Sequence, residues 1–550
     1  MAAQSEKLVP PARSLEQGMS GLPALLAMIG IALTVLLSAL DQTIVGTALP
    51  RIVAELHGFE VYAWVATSYL LTSTVMVPIM GKLGDLYGRK PFLLAAITVF
   101  VAASLACGAA NSMLFLILAR GVQGIGAGML QATAFTSVGD MFPQPERRAR
   151  WQGILTSTFG LASVVGPSLG GIMTDTLGWR SVFYVNLPVG ILAIAVLTLT
   201  LPGNLSPRTP NARIDWAGAA LITAAVSAFL LAVEWGGGQM PWGSPTIVGL
   251  LAGSALLLAA FVWVERHAPE PLMPLDLFQI RTVAICCLIS LLIGFALFGL
   301  VFYTPLLAQG ALRLSASQAG ALLTPLVTSM AVGSLLSGQL FARIGRAPLL
   351  MTIGALVLNA GALLLTRVSL SINHLLLGIE LGMCGLGVGM LLPMLTILVQ
   401  STVPRHRLGV GTSTIQFLRL IGSTLGTAIV GALVNGLFVA RLSAAEPAGT
   451  DPRLAAALHD PQALISPDAQ AALGALARQV GASGPAQLQQ LLDLSRGALV
   501  GGIRAGFWLA CVAAIGVLAL VLLMRGARVS ASAIEQARRE GLDEGSLGAL

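Results

Sequence analysis

A chain of 550 residues that is 56% hydrophobic and 10% charged, with a mean hydropathy of +0.85, carries too little polar surface for a soluble globule and reads as a polytopic membrane protein. The formal net charge of +7 reflects arginines scattered over short connections between apolar runs, the pattern of membrane topology and not of nucleic-acid binding. Cys107, Cys286, Cys287, Cys384 and Cys511 lie inside apolar runs without ligand spacing, so neither a disulfide framework nor a metal site is indicated, and no cofactor is expected.

A spanning helix needs about 20 mostly apolar residues. A polar tail over 1–21, without a cleavable signal, leads into spans predicted near 22–48, 62–80, 91–110, 112–139, 151–173 and 181–201. A linker over 202–282 holds two inserted spans, 214–233 and 246–265. Six more follow within 283–524, near 283–304, 316–340, 348–366, 374–399, 409–437 and 499–524, before a tail over 525–550. The expected fold is all-α and integral to the membrane, with about fourteen helices in two halves of six plus the inserted pair.

Basic residues divide these connections into two classes. One class carries Lys82, Arg89 and Lys90, then Arg147, Arg148 and Arg150, Arg208 and Arg213, Arg266 and Arg281, Arg343 and Arg346, Arg405 and Arg407, and Arg525 and Arg528. The other has Arg51, Arg180, Arg313 and Arg367, mostly single. The positive-inside rule then places both termini in the cytoplasm, which for a bacterial chain means the inner or plasma membrane. Trp64, Trp151, Trp179, Trp216, Trp242 and Trp263 fall near span ends, as expected of rings at headgroup depth. The last outward connection, 438–498, is long, and LAAALHD and AQAALGALARQV within it read as short amphipathic helices that cap the outer rim or dock a partner.

Two segments recur at an offset of roughly 260 residues, as in a parallel repeat of six helices. GKLGDLYGRKP (81–91) returns as GQLFARIGRAP (338–348) without its aspartate, and GIGAGML (124–130) returns as GLGVGML (385–391). Gly81, Gly84 and Gly88 allow a sharp turn and close helix approach, and the second segment reads as a small-residue packing face. Arg89 and Lys90 read equally well as simple topogenic charges.

LDQTIVGTALP (40–50), GKLGDLYGRKP, RGVQGIGAG (120–128), GLASVVGPSLGG (160–171), WRSVFYVNLP (179–188) and FLRLIGSTLGTAI (417–429) occur in that order. Together they resemble the major facilitator superfamily, and within it the fourteen-span EmrB/QacA-type drug:proton antiporter family. Gly46 departs from that pattern, where the family usually has Asn. The resemblance implies a gating motif at Gly81, Asp85, Gly88, Arg89 and Lys90. In it Asp85 latches onto the start of the thirteenth span near Leu408 and onto Arg147 or Arg148, holding an outward-open state. It also implies an exporter-type antiporter motif at Gly166, Pro167, Gly170 and Gly171.

Ionisable residues at membrane depth are costly and mark function. Four stand well inside the predicted spans: Asp41 in the outer third of the first, Arg120 near mid-depth, Glu380 and Arg419. Asp41 and Glu380 are the expected proton-coupling carboxylates, with Arg120 and Arg419 as charge partners. Rise along their helices puts Glu380 and Arg419 within ~5 Å in height, so an ion pair is expected. Gln42, Gln123, Asn186 and Gln416 are candidate cavity residues, with Met76, Met80, Phe159 and Met390 as deformable apolar lining. All five histidines sit in or beside loops and are not relay candidates.

No G-x-x-x-x-G-K-[ST] loop is present, so ATP does not drive the protein, and no nucleophile–base set marks an enzyme. The expected function is proton-coupled export of lipophilic, amphipathic or cationic drugs by alternating access, with small molecules, protons and lipid as partners. The alternatives are export of a specific lipid or secreted metabolite on the same fold, and a non-transporting membrane sensor. Whether a periplasmic adaptor protein docks on the chain is not legible in the sequence.

Overall fold

The computed structural model describes residues 19–56, 64–203, 214–236, 240–447, 450–458, 464, 467–480 and 484–524. Arg208, Arg213, Arg525 and Arg528 therefore lie outside the described residues. The chain is built of helices: α1 Gly21–Leu56, α2 Trp64–Tyr87, α3 Arg89–Gly108, α4 Met113–Met141, α5 Pro145–Leu177 and α6 Ser181–Thr200. There follow α7 Trp216–Trp235, α8 Pro245–His267, α9 Arg281–Leu306, α10 Ala316–Ile344, α11 Ala347–Leu365, α12 His374–Thr402 and α13 Leu408–Ala445. Two short helices, α14 Pro452–Ala457 and α15 Pro467–Val480, precede the last, α16 Gly484–Leu523.

Among the described residues, 13 helices are long and apolar enough to cross a membrane. The long helix outside that number is α5, whose 33 residues suffice in length but whose Gly-, Ser- and Thr-rich face is committed to helix contacts instead of lipid. The final two long helices overrun the predicted spans. At 38 and 40 residues, α13 and α16 reach about 57 and 60 Å, roughly twice the hydrocarbon thickness. The long connection therefore shrinks to the stretch between Ala445 and Gly484, with α14 and α15 in it.

Packing repeats between two sets of helices. In the first, α1 packs on α5 and α6, α2 on α4, and α3 on α4 and α6; in the second, α9 packs on α13 and α16, α10 on α12, and α11 on α12 and α16. The repeated glycines set these contacts. A Cβ at Gly124 or Gly128 would collide with α2 backbone and one at Gly126 with α3, while Gly385 and Gly389 meet α10 and Gly387 meets α11. The sets touch through α2 on α13 and α5 on α10. Helices α7 and α8 pair with each other, and α7 leans on α2 and α13. Lys82 pairs with Glu270 just beyond α8 at 2.7 Å, and Thr67 donates to Glu234 of α7, so the inserted pair grips α2 at both ends.

Trp179 corrects an expectation: it is 1% exposed instead of lying at a lipid interface. Its indole N–H donates to Glu55 at 2.8 Å, and the same carboxylate accepts from Arg180. Those two bonds, Arg180's first, hold the Glu55 carboxyl below its usual range.

Gly385→Ala should lower the melting temperature of the purified protein in detergent. The new methyl would strike the Leu326 carbonyl, an overpacking defect worth about 1–3 kcal/mol. Gly171→Ala is the control, since nothing lies within 4 Å of its added Cβ and alanine favours the helix; it should melt at or slightly above the parent. Equal losses in both variants would contradict the packing role.

Candidate functional site

Two charged clusters occupy opposite ends of the first set. The first is at the foot of α2. The turn that was expected to involve three glycines is made by Gly88 alone, at φ 94°; α2 stays helical through Gly81 and Gly84 to Tyr87, and α3 begins at Arg89. Gly81 and Gly84 serve close approach instead. A Cβ at Gly81 would collide with Ser413 of α13, and one at Gly84 would crowd the Arg89 guanidinium.

That proximity delivers Asp85 to the start of α13. Helix α13 has no side-chain N-cap of its own, so its first N–H groups need partners from elsewhere. Asp85 supplies them: Oδ1 accepts from Gly409 N and Oδ2 from Val410 N, both at 2.8 Å. A carboxylate from one helix set thus caps a helix of the other, where the helix dipole is positive. Its ion-pair partner is Arg89, 1% exposed, whose Nε also donates to Asp140 at 2.8 Å.

This arrangement corrects two expectations. Arg89 is a buried ion-pair centre and not a topogenic charge, because the Gly88 turn folds α3 back under α2. Arg148 is occupied locally, donating to the carbonyls of Phe142 and Pro143. Lys90 donates to the carbonyls of Thr198 and Leu201, closing the end of α6. In the repeated segment Gly345 also turns at positive φ, 67°, but with ψ 12° where Gly88 has 154°, and Arg343 and Arg346 are exposed. The positions that align with Asp85 and Asp140 are Ala342 and Ser401, so the second copy lacks both acids.

The second cluster surrounds Asp41, which is fully buried. Arg120 Nη1 donates to its Oδ2 at 2.5 Å, while Gln123 Nε2 and Asn186 Nδ2 donate to Oδ1 at 2.8 and 3.0 Å. Arg120 Nη1 also donates to Gln123 Oε1 at 2.8 Å, and its guanidinium lies 4.2 Å from the centre of the Tyr69 ring. Asn186 is steadied by Ser104 at 2.9 Å. Arg120 lies seven residues into α4, about 10 Å from its start, and so is nearer that helix's end than the expected mid-depth. Gln42, the neighbour of Asp41, is half-buried.

The same end of α5 packs on α1. A Cβ at Gly166 would meet Thr43, and one at Gly170 would meet Thr47 and Ile44. Gly171 has nothing within 4 Å and takes no part in this contact. The side chain of Pro167 is outside the described ones, and α5 runs helically through this segment.

Nearer the Asp85 end, α5 switches partner to α10: Ser157 donates to the Ala331 carbonyl at 3.3 Å, and Gly153 fits against Ser334. Gln400 donates to the Phe135 carbonyl at 3.2 Å, and Gln416 to the Gln131 carbonyl at 3.3 Å. These bonds between the sets lie toward the latched end. Further up α10, a cavity of about 670 Å³ opens between α10 and α12, with Leu322, Pro325, Ser329 and Gly382 in its wall.

A family model described as "Major Facilitator Superfamily" matches residues 31–427. The chain belongs to the major facilitator superfamily. Multidrug transporter protein MdtP of Bacillus subtilis (strain 168) is 41% identical to it over 410 residues, 74% of this chain and 75% of that one. Multidrug resistance protein 3 of the same organism is 35% identical over 417 residues, 76% and 80% of the two chains. The crystal structure of the human organic anion transporter MFSD10 (TETRAN) shares the fold with a TM-score of 0.55 at 15% identity, covering 89% of this chain and 100% of that one. As a major facilitator the chain is a multi-pass membrane transporter and not an enzyme.

In this facilitator the expected Glu380–Arg419 pair does not form. Glu380 lies on the side of α12 that faces α11 and α16, near Gly361 and Cys384, and its Oε2 has no hydrogen-bond partner among the described residues. Arg419, half-buried on α13, reaches Gln416 at 3.4 Å, and Gln416 points to α4. Axial rise matched their heights, but the helical phase separates them. Met390 is likewise buried, packed in the α11–α12 interface. Sequence reasoning missed Asp140 and Gln400; the available signal for Asp140 was an acid at the end of an apolar helix, directly before the Pro143 turn.

Arg89→Gln should destabilise the purified protein on the order of 3–5 kcal/mol, because it removes the counter-charge that two buried carboxylates share. Asp140→Asn, which leaves the Asp85–Arg89 pair intact, should cost clearly less. Calorimetric or fluorescence melting in detergent separates them. An Arg89→Gln variant that melts like the parent would remove the cluster from the account.

Proposed function

We propose that this transporter is a proton-coupled antiporter that exports lipophilic, amphipathic or cationic compounds. The observation that carries the reading is Asp41: a fully buried carboxylate within a membrane-spanning bundle, held by one arginine and two amides. A fixed salt bridge would need only Arg120. The extra donors from Gln123 and Asn186 give the site alternative pairings, because Arg120 also bonds Gln123 and the Val65 carbonyl, and Asn186 also bonds Ser104. Protonation of Asp41 then releases Arg120 and Asn186 without leaving them bare. The names of the relatives, multidrug transporter and multidrug resistance protein, support drug-like cargo.

The proposed cycle places the Asp85 end at the cytoplasm, as the density of basic residues there suggests. With the latch engaged the transporter faces outward, and a proton reaching Asp41 from outside displaces its bond to Arg120. Opening the cytoplasmic end breaks the Asp85 cap on α13, leaving those N–H groups to water, and drug enters as the proton leaves. Arg419, a half-buried cation with no acidic partner among the described residues, biases the space between α13 and α4 toward polar or π-rich groups of the cargo.

In proteoliposomes with an imposed pH gradient, Asp41→Asn should abolish gradient-driven accumulation of a lipophilic dye, at least tenfold below the parent, while dye binding in detergent persists within a few-fold. Accumulation at the parental rate would show that Asp41 does not couple protons.

A further inference from the structure

Two cavities of different character meet at Leu314, which stands in the wall of both. One is the 670 Å³ groove between α10 and α12, which lies within the membrane spans and is mostly apolar. The other, about 1190 Å³, lies between α15 and the first turns of α16, and its wall includes Arg313, Arg478 and Arg496 beside Gln309, Leu488 and Leu492. One apolar span ends at Ala311 and the next begins at Gln318, so Arg313 stands at the depth of lipid headgroups.

Among the described residues, one carboxylate faces the three arginines of this chamber. Asp493 Oδ1 is the carboxylate oxygen that meets these arginines among the described residues, taking Arg313 at 3.2 Å and Arg496 at 2.7 Å, and Asp493 is itself exposed. Arg496 Nε is buried with no hydrogen-bond partner among the described residues. Arg478 gives its Nε–H to the Gly474 carbonyl and projects from α15 into the same wall. Arg313 also holds φ at 58°, in the left-handed region that an arginine occupies at a cost, directly after the π turn Leu307–Ala311.

We propose that the two cavities form one binding site for an amphipathic anion. Its phosphate-bearing headgroup lies among Arg313, Arg478 and Arg496, and its hydrocarbon tail lies in the α10–α12 groove. Guanidinium forks match phosphate oxygens in geometry as well as charge, and the groove removes the tail from water without polar cost. The site is separate from Asp41 and from the Asp85 latch. It gives α15 and the long extension of α16 a task that the transport cycle does not use. Neither proton coupling nor the direction of transport enters the inference.

The test measures binding to the purified full chain in neutral detergent by native mass spectrometry and by thermal shift. Four probes are compared: phosphatidylglycerol, phosphatidylcholine with the same acyl chains, dodecyl phosphate and inorganic phosphate. The tailed anions should bind at least about tenfold tighter than either the zwitterionic lipid or the tail-free anion. Arg478→Gln and Arg496→Gln should each weaken them by about tenfold, the loss of one charge-assisted contact. Arg478 is exposed, so its variant should retain the parental fold and melting temperature without ligand. Ser329→Leu, which fills the groove, should weaken the tailed anions through the other end of the site. Binding of phosphatidylglycerol assigns the site to a bilayer lipid, whereas binding of dodecyl phosphate alone assigns it to a single-chain anion arriving from solution; both uphold the composite site. Equal binding of phosphatidylglycerol and phosphatidylcholine, with no binding of dodecyl phosphate, overturns it, as does parental affinity in both arginine variants.

Discussion

A helix that begins inside a membrane protein must satisfy its first N–H groups, and α13 does so with a carboxylate from the other helix set. Asp85 is the cap, Arg89 compensates its buried charge, and Asp140 uses the arginine's remaining capacity. Each member needs the next: without Arg89 the two acids repel in low dielectric, and without Asp85 the foot of α13 loses both cap and counter-dipole. The contact gives the aspartate of the first copy a task in the fold.

The two charged clusters share helices. Tyr69 and Asp85 sit at opposite ends of α2, while Arg120 and Gln123 sit toward one end of α4 and Gln131, Phe135 and Asp140 toward the other. Arg120 and Asp140 are 20 positions apart on unbroken helix, about 30 Å. Glycine-mediated contact of α2 with α4 makes the pair a stiff unit, so a change of pairing at Asp41 and a change of contact at Asp85 act on the same body. In the proposed cycle this unit is biased from both ends, as alternating access requires.

Much of this was legible in the sequence because it depends on residue type and spacing. Hydropathy located the spans, the repeat located equivalent turns, and the cost of burying charge singled out Asp41 and Arg120, which do meet. Gln123 and Asn186, expected as cavity residues, hydrogen-bond Asp41. What was not legible depends on helix phase and on chain reversal. Glu380 and Arg419 agree in depth but face different neighbours, and Arg89 becomes buried only because Gly88 turns α3 back beneath α2. Hydropathy also marks where a helix leaves lipid and not where it ends, so the extensions of α13 and α16 went unseen.

In the proposed cycle Asp85 sets the balance between two arrangements of the helix sets. Spin labels at the exposed positions Arg147 and Arg343 report the latched end, and labels at Asp175 and Gly320 report the opposite end. Pulsed electron–electron resonance on the parent in lipid nanodiscs should give a single short distance for the first pair. In Asp85→Asn the first pair should gain a longer population and the second a shorter one, shifting the equilibrium by about tenfold or more for the loss of a charge-assisted contact. Distance distributions unchanged at both ends in Asp85→Asn would contradict the account.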